Sequence, residues 1–138
     1  MAIHLLDVNV LLALSWPTHQ HHDSAFRWFR ANAHLGWATC PITEAGFVRI
    51  SSNARITQFA VSVPDAMAAF EVLTRHPQHI FWPDSIPVAK AMLRTAITGH
   101  HQITDAYLAA LAAERGGVLA TFDGALPVLD PAVHLIRP

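Results

Sequence analysis

The sequence predicts an α/β fold, a three-layer α/β/α sandwich around a short, mostly parallel central sheet. The run from Ile3 to Leu14 is almost wholly apolar, interrupted by one carboxylate, Asp7, and one amide, Asn9. Such a run suits a central strand covered on both faces that feeds a helix. Along the rest of the chain, short branched or aromatic runs alternate with segments of helical periodicity, the pattern of a parallel sheet with helices on both sides. The 138 residues suffice for one domain with a real core and not for two of ordinary size, so residues 1–138 are expected to form a single domain.

Taken in order, the first strand ends at Leu6 and leaves Asp7 at its carboxyl end, where open α/β sheets collect ligands. Asp is also a common helix cap, so capping and catalysis are both open for Asp7 at this point. Val8, Leu11, Leu12 and Ser15 give a short helix that Pro17 stops. From Asp23 to Ala33 a second helix places Ala25, Phe26, Phe29 and Ala33 on one stripe, and Gly36 ends the segment. Trp37–Cys40 reads as a strand, and Pro41-Ile42-Thr43-Glu44 opens a helix to Ser51 with Glu44 in its first turn. The loop at Ser51–Ala54 leads to a stretch, up to Val61, with no clear assignment.

Ser62, three residues before Asp65, starts a helix in which Met67, Phe70 and Leu73 continue an apolar stripe toward His76. Ile80–Trp82 is a strand, Ser85-Ile86-Pro87 opens a helix to Ala96, and Thr98–His101 is a loop. Thr104 is expected to cap the most regular helix, Asp105–Arg115, with Leu108, Leu111 and Ala112 on one face and Gly116-Gly117 as its stop. Val118–Thr121 is a strand, Phe122-Asp123-Gly124 a turn, and Val133–Ile136 the last strand.

Composition narrows the function classes. At 52% hydrophobic and 14% charged residues, the chain either buries a large fraction of itself or hides apolar surface in an oligomer, so a homodimer is expected. Its interface is expected around Phe47 and Val48 or Phe70 and Leu73. No apolar run reaches the ~18 residues of a membrane helix and no basic region precedes the first one, so no membrane association and a cytoplasmic location are expected. A single cysteine, Cys40, excludes an internal disulfide and any multi-cysteine zinc site. The net charge of −1 lacks the basic excess of proteins that hold nucleic acid by charge alone, so a nucleic-acid substrate would need local cations.

Four acidic residues occupy comparable positions: Asp7 after the first strand, Glu44 after the second, Asp105 at the start of the regular helix, and Asp123 after the fourth strand. Singly, each has an ordinary explanation, such as a helix-dipole contribution of roughly 0.3–1 kcal/mol or a turn. Jointly, the topology brings strand ends and helix starts to one edge, where the four converge. Converging carboxylates repel by about 4 kcal/mol per pair at 4 Å and an effective dielectric near 20, which outweighs the dipole contributions and calls for a cation. An all-oxygen site suits Mg²⁺, with Mn²⁺ as a substitute, and Asn9 or Thr121 as the polar group that holds a carboxylate or a water.

On these residues the chain resembles PIN-domain ribonucleases, and among them the VapC toxins of bacterial toxin–antitoxin pairs. The matching segments are Leu6-Asp7-Val8-Asn9-Val10-Leu11-Leu12, Thr43-Glu44-Ala45-Gly46-Phe47-Val48-Arg49, Ile103 to Ala112, and Leu119-Ala120-Thr121-Phe122-Asp123. The resemblance implies a PIN-like fold, with Asp7, Glu44, Asp105 and Asp123 as the catalytic and metal-holding residues and Asn9 and Thr121 as their polar helpers. It further implies Mg²⁺-dependent endonucleolytic cleavage of RNA, inhibition of translation and a cognate antitoxin protein. Residues 52–100 match the family only loosely.

Arg49 and Arg55, which follow the Glu44 helix toward the same edge, are candidate RNA contacts. His19-Gln20-His21-His22-Asp23 has helical spacing for a metal pair but no matching ligand group elsewhere, and reads better as the opening of the second helix. Two other functions compete. An inactive PIN scaffold serving as a binding module would retain four repelling carboxylates to no purpose. A phosphatase of the haloacid dehalogenase type wants a second Asp where this chain has Asn9.

Overall fold

The computed structural model describes residues 2–58 and 60–138. Strands β1 (His4–Leu6), β2 (Trp37–Thr39), β3 (His79–Phe81), β4 (Val118–Thr121) and β5 (His134–Leu135) form one sheet in the order β3-β2-β1-β4-β5. Every neighbouring pair is parallel, so the expected mostly parallel sheet is parallel throughout. The helices are α1 (Val8–Ser15), α2 (His22–Asn32), α3 (Pro41–Ser51), α4 (Val63–Thr74), α5 (Val88–Ala91), α6 (Ile103–Glu114) and α7 (Leu126–Leu129).

The period-2 alternation of the strands splits the core in two. Leu5, Ala38 and Leu119 pack with residues of α5, α6 and α7, whereas Leu6, Trp37 and Ala120 pack with α1 to α4. The chain leaves β1 toward β2 and β3 on one side and returns to β4 on the other. The switch point therefore lies between β1 and β4, and there the Asp7 N–H donates to the Ala120 carbonyl at 3.0 Å. A crevice outside the strand ends at such a switch point is the usual place for a ligand in this class of sheet.

Several expectations shift. The helix opened by Ser85-Ile86-Pro87 is only α5 and does not reach Ala96, because residues beyond Met92 are mostly exposed and offer no apolar face to offset the cost of helix formation. Thr104 lies inside α6 rather than capping it. A 3₁₀ turn over His100–Gln102 runs into the helix, and the Gln102 side-chain oxygen accepts from the Thr98 and Gly99 N–H groups at 2.8 and 3.3 Å. Helix α7 was not anticipated. Phe26 and Met67, expected on buried stripes, are 49% and 42% exposed, the core positions being Ala25 and Ala66 one residue earlier. Phe47 is fully buried and Phe70 nearly so in this chain's own core, so an interface around them would be made largely by their more exposed neighbours, such as Val48 and Leu73. The capping expectation at Ser62 holds, since its hydroxyl accepts from Asp65 N–H at 3.1 Å. Phe59, in the stretch without assignment, lies outside the described residues.

One glycine fixes where the Glu44 helix sits. A Cβ added at Gly46 would stand 2.7 Å from Val8 Cγ2, so α3 crosses α1 at a distance only glycine allows. Val8 is β-branched and stiff, and cannot swing aside. The Gly46→Ala variant is expected to lose about 1–2 kcal/mol of unfolding free energy in urea, overpacking outweighing the gain in helix propensity. Adding Val8→Ala should recover most of that loss, and a single variant as stable as the parent would contradict the close approach.

Candidate active site

The last residue of β4, Thr121, is fully buried and organises the crevice. Its hydroxyl donates to Asp7 Oδ2 at 2.8 Å and accepts from Asn9 Nδ2 and from the Asp123 N–H, each at 3.1 Å. One hydrogen and two lone pairs are all a hydroxyl has, so Thr121 is saturated. Asn9 Oδ1 in turn accepts from the Phe122 N–H at 3.1 Å, which settles the orientation of the amide and pins the chain just past β4.

Of the two readings that the sequence left open for Asp7, the structure shows the cap. Its Oδ1 accepts from the Val8 N–H at 2.8 Å and caps α1, while its Oδ2 faces Thr121. Its carboxyl is held above the ordinary range by burial, helped by the charge of Asp123, against the pull of the two hydrogen bonds. Asp123 sits in the exposed turn after β4 with Oδ1 accepting from the Ala125 N–H at 2.9 Å. Asp105 is half-buried in the first turn of α6, and its carboxyl is pushed up to about 6 by burial and by the charges of Asp7 and Asp123, with His101 opposing. The charges that act on Asp7 and Asp105 thus tie Asp7, Asp105 and Asp123 into one cluster.

Glu44 stands apart. It is not among the charges that shift Asp7 and Asp105, and its Oε2 accepts from the hydroxyl of Thr39, at the end of β2, at 2.7 Å. Thr39 is fully buried and also meets His79 Nε2 at 2.8 Å. Burial lowers the His79 pKa, Glu44 raises it, and His76 adds to the lowering. Neither Thr39 nor His79 carries a sequence signal: a Thr in a strand and a His near a turn are both unremarkable.

Among the described residues, no three His, Cys, Asp or Glu side chains stand close enough to hold a metal ion as placed. The donor chemistry nonetheless fits a hard divalent cation. Asp7 and Asp123 raise the proton affinity of Asp105, and Asp123 that of Asp7, so an ion among the three would relieve repulsion.

Arg49 is exposed on α3 and lines, with Glu44, Val48, Val63, Met67 and Phe70, a cavity of ≈ 720 Å³ between α3 and α4. Arg55 is exposed in the turn after α3, its N–H donating to Asn53 Oδ1, and no contact ties it to the carboxylates. The His19–His22 segment serves the α1–α2 connection. His22 Nδ1 lies 2.7 Å from the Ala13 carbonyl at the end of α1, His19 Nδ1 accepts from the His21 N–H, and the His21 ring stacks on Phe122 at 4.7 Å.

Comparison with known proteins bears on the fold and on descent. A family model described as the PIN domain matches residues 4–130. Ribonuclease VapC39 of Mycobacterium tuberculosis is 52% identical over 124 residues, which covers 88% of this chain and 89% of that protein. Among solved structures, the sarcin-ricin loop cleaving toxin VapC20 of Mycobacterium tuberculosis aligns with a TM-score of 0.70 at 16% identity, over 97% of this chain and 98% of that one. VapBC2 from Rickettsia felis, bound to a DNA fragment from its promoter, aligns with a TM-score of 0.66 at 14% identity, over 96% of each chain. At those identities the two structures bear on the fold, while the family match and the VapC39 identity bear on descent: the chain belongs to the PIN domain family, on its VapC branch.

Proposed function

We propose that this chain is the toxin of a toxin–antitoxin pair, a Mg²⁺-dependent endoribonuclease that inhibits translation by cutting RNA. The observation that carries it is the carboxylate cluster, in which Asp105 is raised to about 6 by burial and by the charges of Asp7 and Asp123. A fold that keeps such repulsion gives up stability for chemistry. The family membership supports the same reading, since the VapC39 relative is named a ribonuclease. It also leaves little for the haloacid dehalogenase alternative, whose second Asp is absent.

Asp7, Asp105 and Asp123, with Glu44 from the first turn of α3, would hold Mg²⁺ or Mn²⁺. The ion, when bound, supplies an activated water and neutralises charge on the scissile phosphate. The chain's own residues do the rest. Thr121 and the Val8 N–H fix both oxygens of Asp7, so that it presents a set geometry without reorganisation. Asn9 holds the Phe122 backbone and with it the approach of Asp123. Arg49, beside Glu44, offers a guanidinium to an RNA phosphate, the local cation that an overall charge of −1 requires. Arg55 offers a second, more distant one.

The test is RNA cleavage with and without chelator. EDTA should abolish it and Mg²⁺ or Mn²⁺ restore it; cleavage that persists in EDTA overturns the mechanism. Asp105→Asn should lower the rate by at least about 10²-fold while stabilising the fold at neutral pH. The sign follows from the raised pKa. The folded state binds a proton more readily than the unfolded one between pH 3.8 and about 6, so wild-type stability falls as pH rises through that window. Relative to wild type, Asp105→Asn should therefore gain nothing below the window and about 1–2 kcal/mol above it, solvent screening at this half-buried site included. Unfolding curves across pH read it directly, and an equal difference at pH 3 and pH 8 would contradict the cluster.

The cognate antitoxin would place an apolar helix in the cavity between α3 and α4, where Val48, Val63, Met67 and Phe70 line the wall, and direct an Arg or Lys at the carboxylates. Its affinity should weaken as Mg²⁺ rises and in Asp105→Asn; indifference to both would place inhibition elsewhere. A homodimer belongs to the same reading, formed through apolar side chains other than Phe47 and Phe70. Light scattering at micromolar concentration should show twice the chain mass, and a strict monomer would reject it.

A further inference from the structure

The two strands that flank β1 end alike. β4 ends in Thr121 and β2 in Thr39, both fully buried. Each hydroxyl donates to a carboxylate oxygen, Thr121 to Asp7 at 2.8 Å and Thr39 to Glu44 at 2.7 Å. Each is met from behind by a second side chain, Thr121 by the Asn9 amide at 3.1 Å and Thr39 by His79 Nε2 at 2.8 Å. Hydrogen counting fixes the second relay. An ionised Glu44 only accepts, so the single hydrogen of Thr39 goes to it, and the short contact to His79 requires that Nε2 carry the hydrogen and donate to Thr39.

We propose that His79 is a positioning residue which, through Thr39, holds Glu44 in the orientation the active site uses. The inference rests on the reading of Glu44 as a metal-holding group. His79 is itself held, its ring 4.7 Å from that of Trp37, whose indole N–H donates to His76 Nδ1 at 3.2 Å. The line His79–Thr39–Glu44 thus starts from a ring that packing has already placed, and Glu44 inherits its orientation. With His79 gone, the Thr39 hydroxyl can rotate away from Glu44; with the hydroxyl gone, nothing in the described structure orients the carboxylate. Partners of this kind, one step removed from a metal, are worth about 10–100-fold in metal affinity or activity when lost.

The test compares six variants of the whole chain for Mn²⁺ binding by calorimetry and for RNA cleavage, after thermal unfolding has verified that each folds. Thr39→Val and His79→Leu should each weaken Mn²⁺ binding and cleavage by about 10-fold or more. Thr39→Ser and His79→Gln, which keep a hydroxyl and an N–H donor of similar reach, should recover most of that loss. Because the two groups act in series, Thr39→Val combined with His79→Leu should be no worse than Thr39→Val alone. In the metal-free wild type, ¹⁵N imidazole shifts should show His79 protonated at Nε2. The proposal is overturned if Thr39→Val and His79→Leu bind Mn²⁺ as wild type does while Glu44→Gln does not. It is equally overturned if the conservative variants lose as much as the others, or if His79 is the Nδ1–H tautomer. If Glu44→Gln itself leaves Mn²⁺ binding intact, the assignment of Glu44 fails first and the positioning role falls with it. Should Thr39→Val not fold, the His79 pair and the tautomer decide.

Discussion

The bond from Thr121 to Asp7 is the constraint on which the rest of the site depends. It crosses from β4 to the end of β1 at the point where the chain switches sides of the sheet, and it is buried on both sides. A carboxylate 8% exposed would be untenable there without donors, since desolvation favours its protonated form. Thr121 and the Val8 N–H supply one donor to each oxygen, and the same Thr121 receives Asn9 and the Asp123 backbone. One hydroxyl therefore sets the geometry of Asp7 and of the turn that carries Asp123. Replacing it with a methyl would leave Asp7 one donor short and free the turn as well.

Much of this was legible in the sequence because it rests on local chemistry. The apolar run Ile3–Leu14 has to be a strand and then a helix, and Asp7 falls at the joint whichever residue ends the strand. The stripe before Gly116-Gly117 has to be a helix, and α6 is buried along Ala106–Ala112, nearly all round. What was not legible depends on contacts distant in sequence. Ala25, Phe26 and Phe29 fit one stripe equally well on paper, yet Ala25 is fully buried and Phe29 packs on the core while Phe26 is left half exposed. Helix α5 stops early where the residues beyond Met92 are mostly exposed, and no periodicity reports what covers a segment.

The same division runs through the site. Asp7, Asn9, Asp105, Thr121 and Asp123 lie at strand ends or helix starts, positions a topology argument reaches. Thr39 and His79 are forty residues apart and meet only because β2 and β3 pair in parallel with Trp37 opposite His79. Glu44 was expected to converge with the other acids, and the reason it is held differently is the same contact. Its oxygen is claimed by a hydroxyl on β2, one strand away from the β1–β4 switch point where the other three gather.

Two opposing demands act on the cluster, and each of its acids settles them differently. Asp123 is exposed, so its ionised form is solvated and its turn bond to Ala125 is all it needs. Asp7 is buried but fully bonded. Among the described residues no hydrogen-bonding partner meets the half-buried Asp105 carboxylate, and burial together with the charges of Asp7 and Asp123 pushes it up to about 6. A cation would change the balance at this residue, because the repulsion that raises its proton affinity is the same field that attracts positive charge. On the reading proposed above, an ion or a partner's cationic side chain would relieve that repulsion at Asp105, in the first turn of α6.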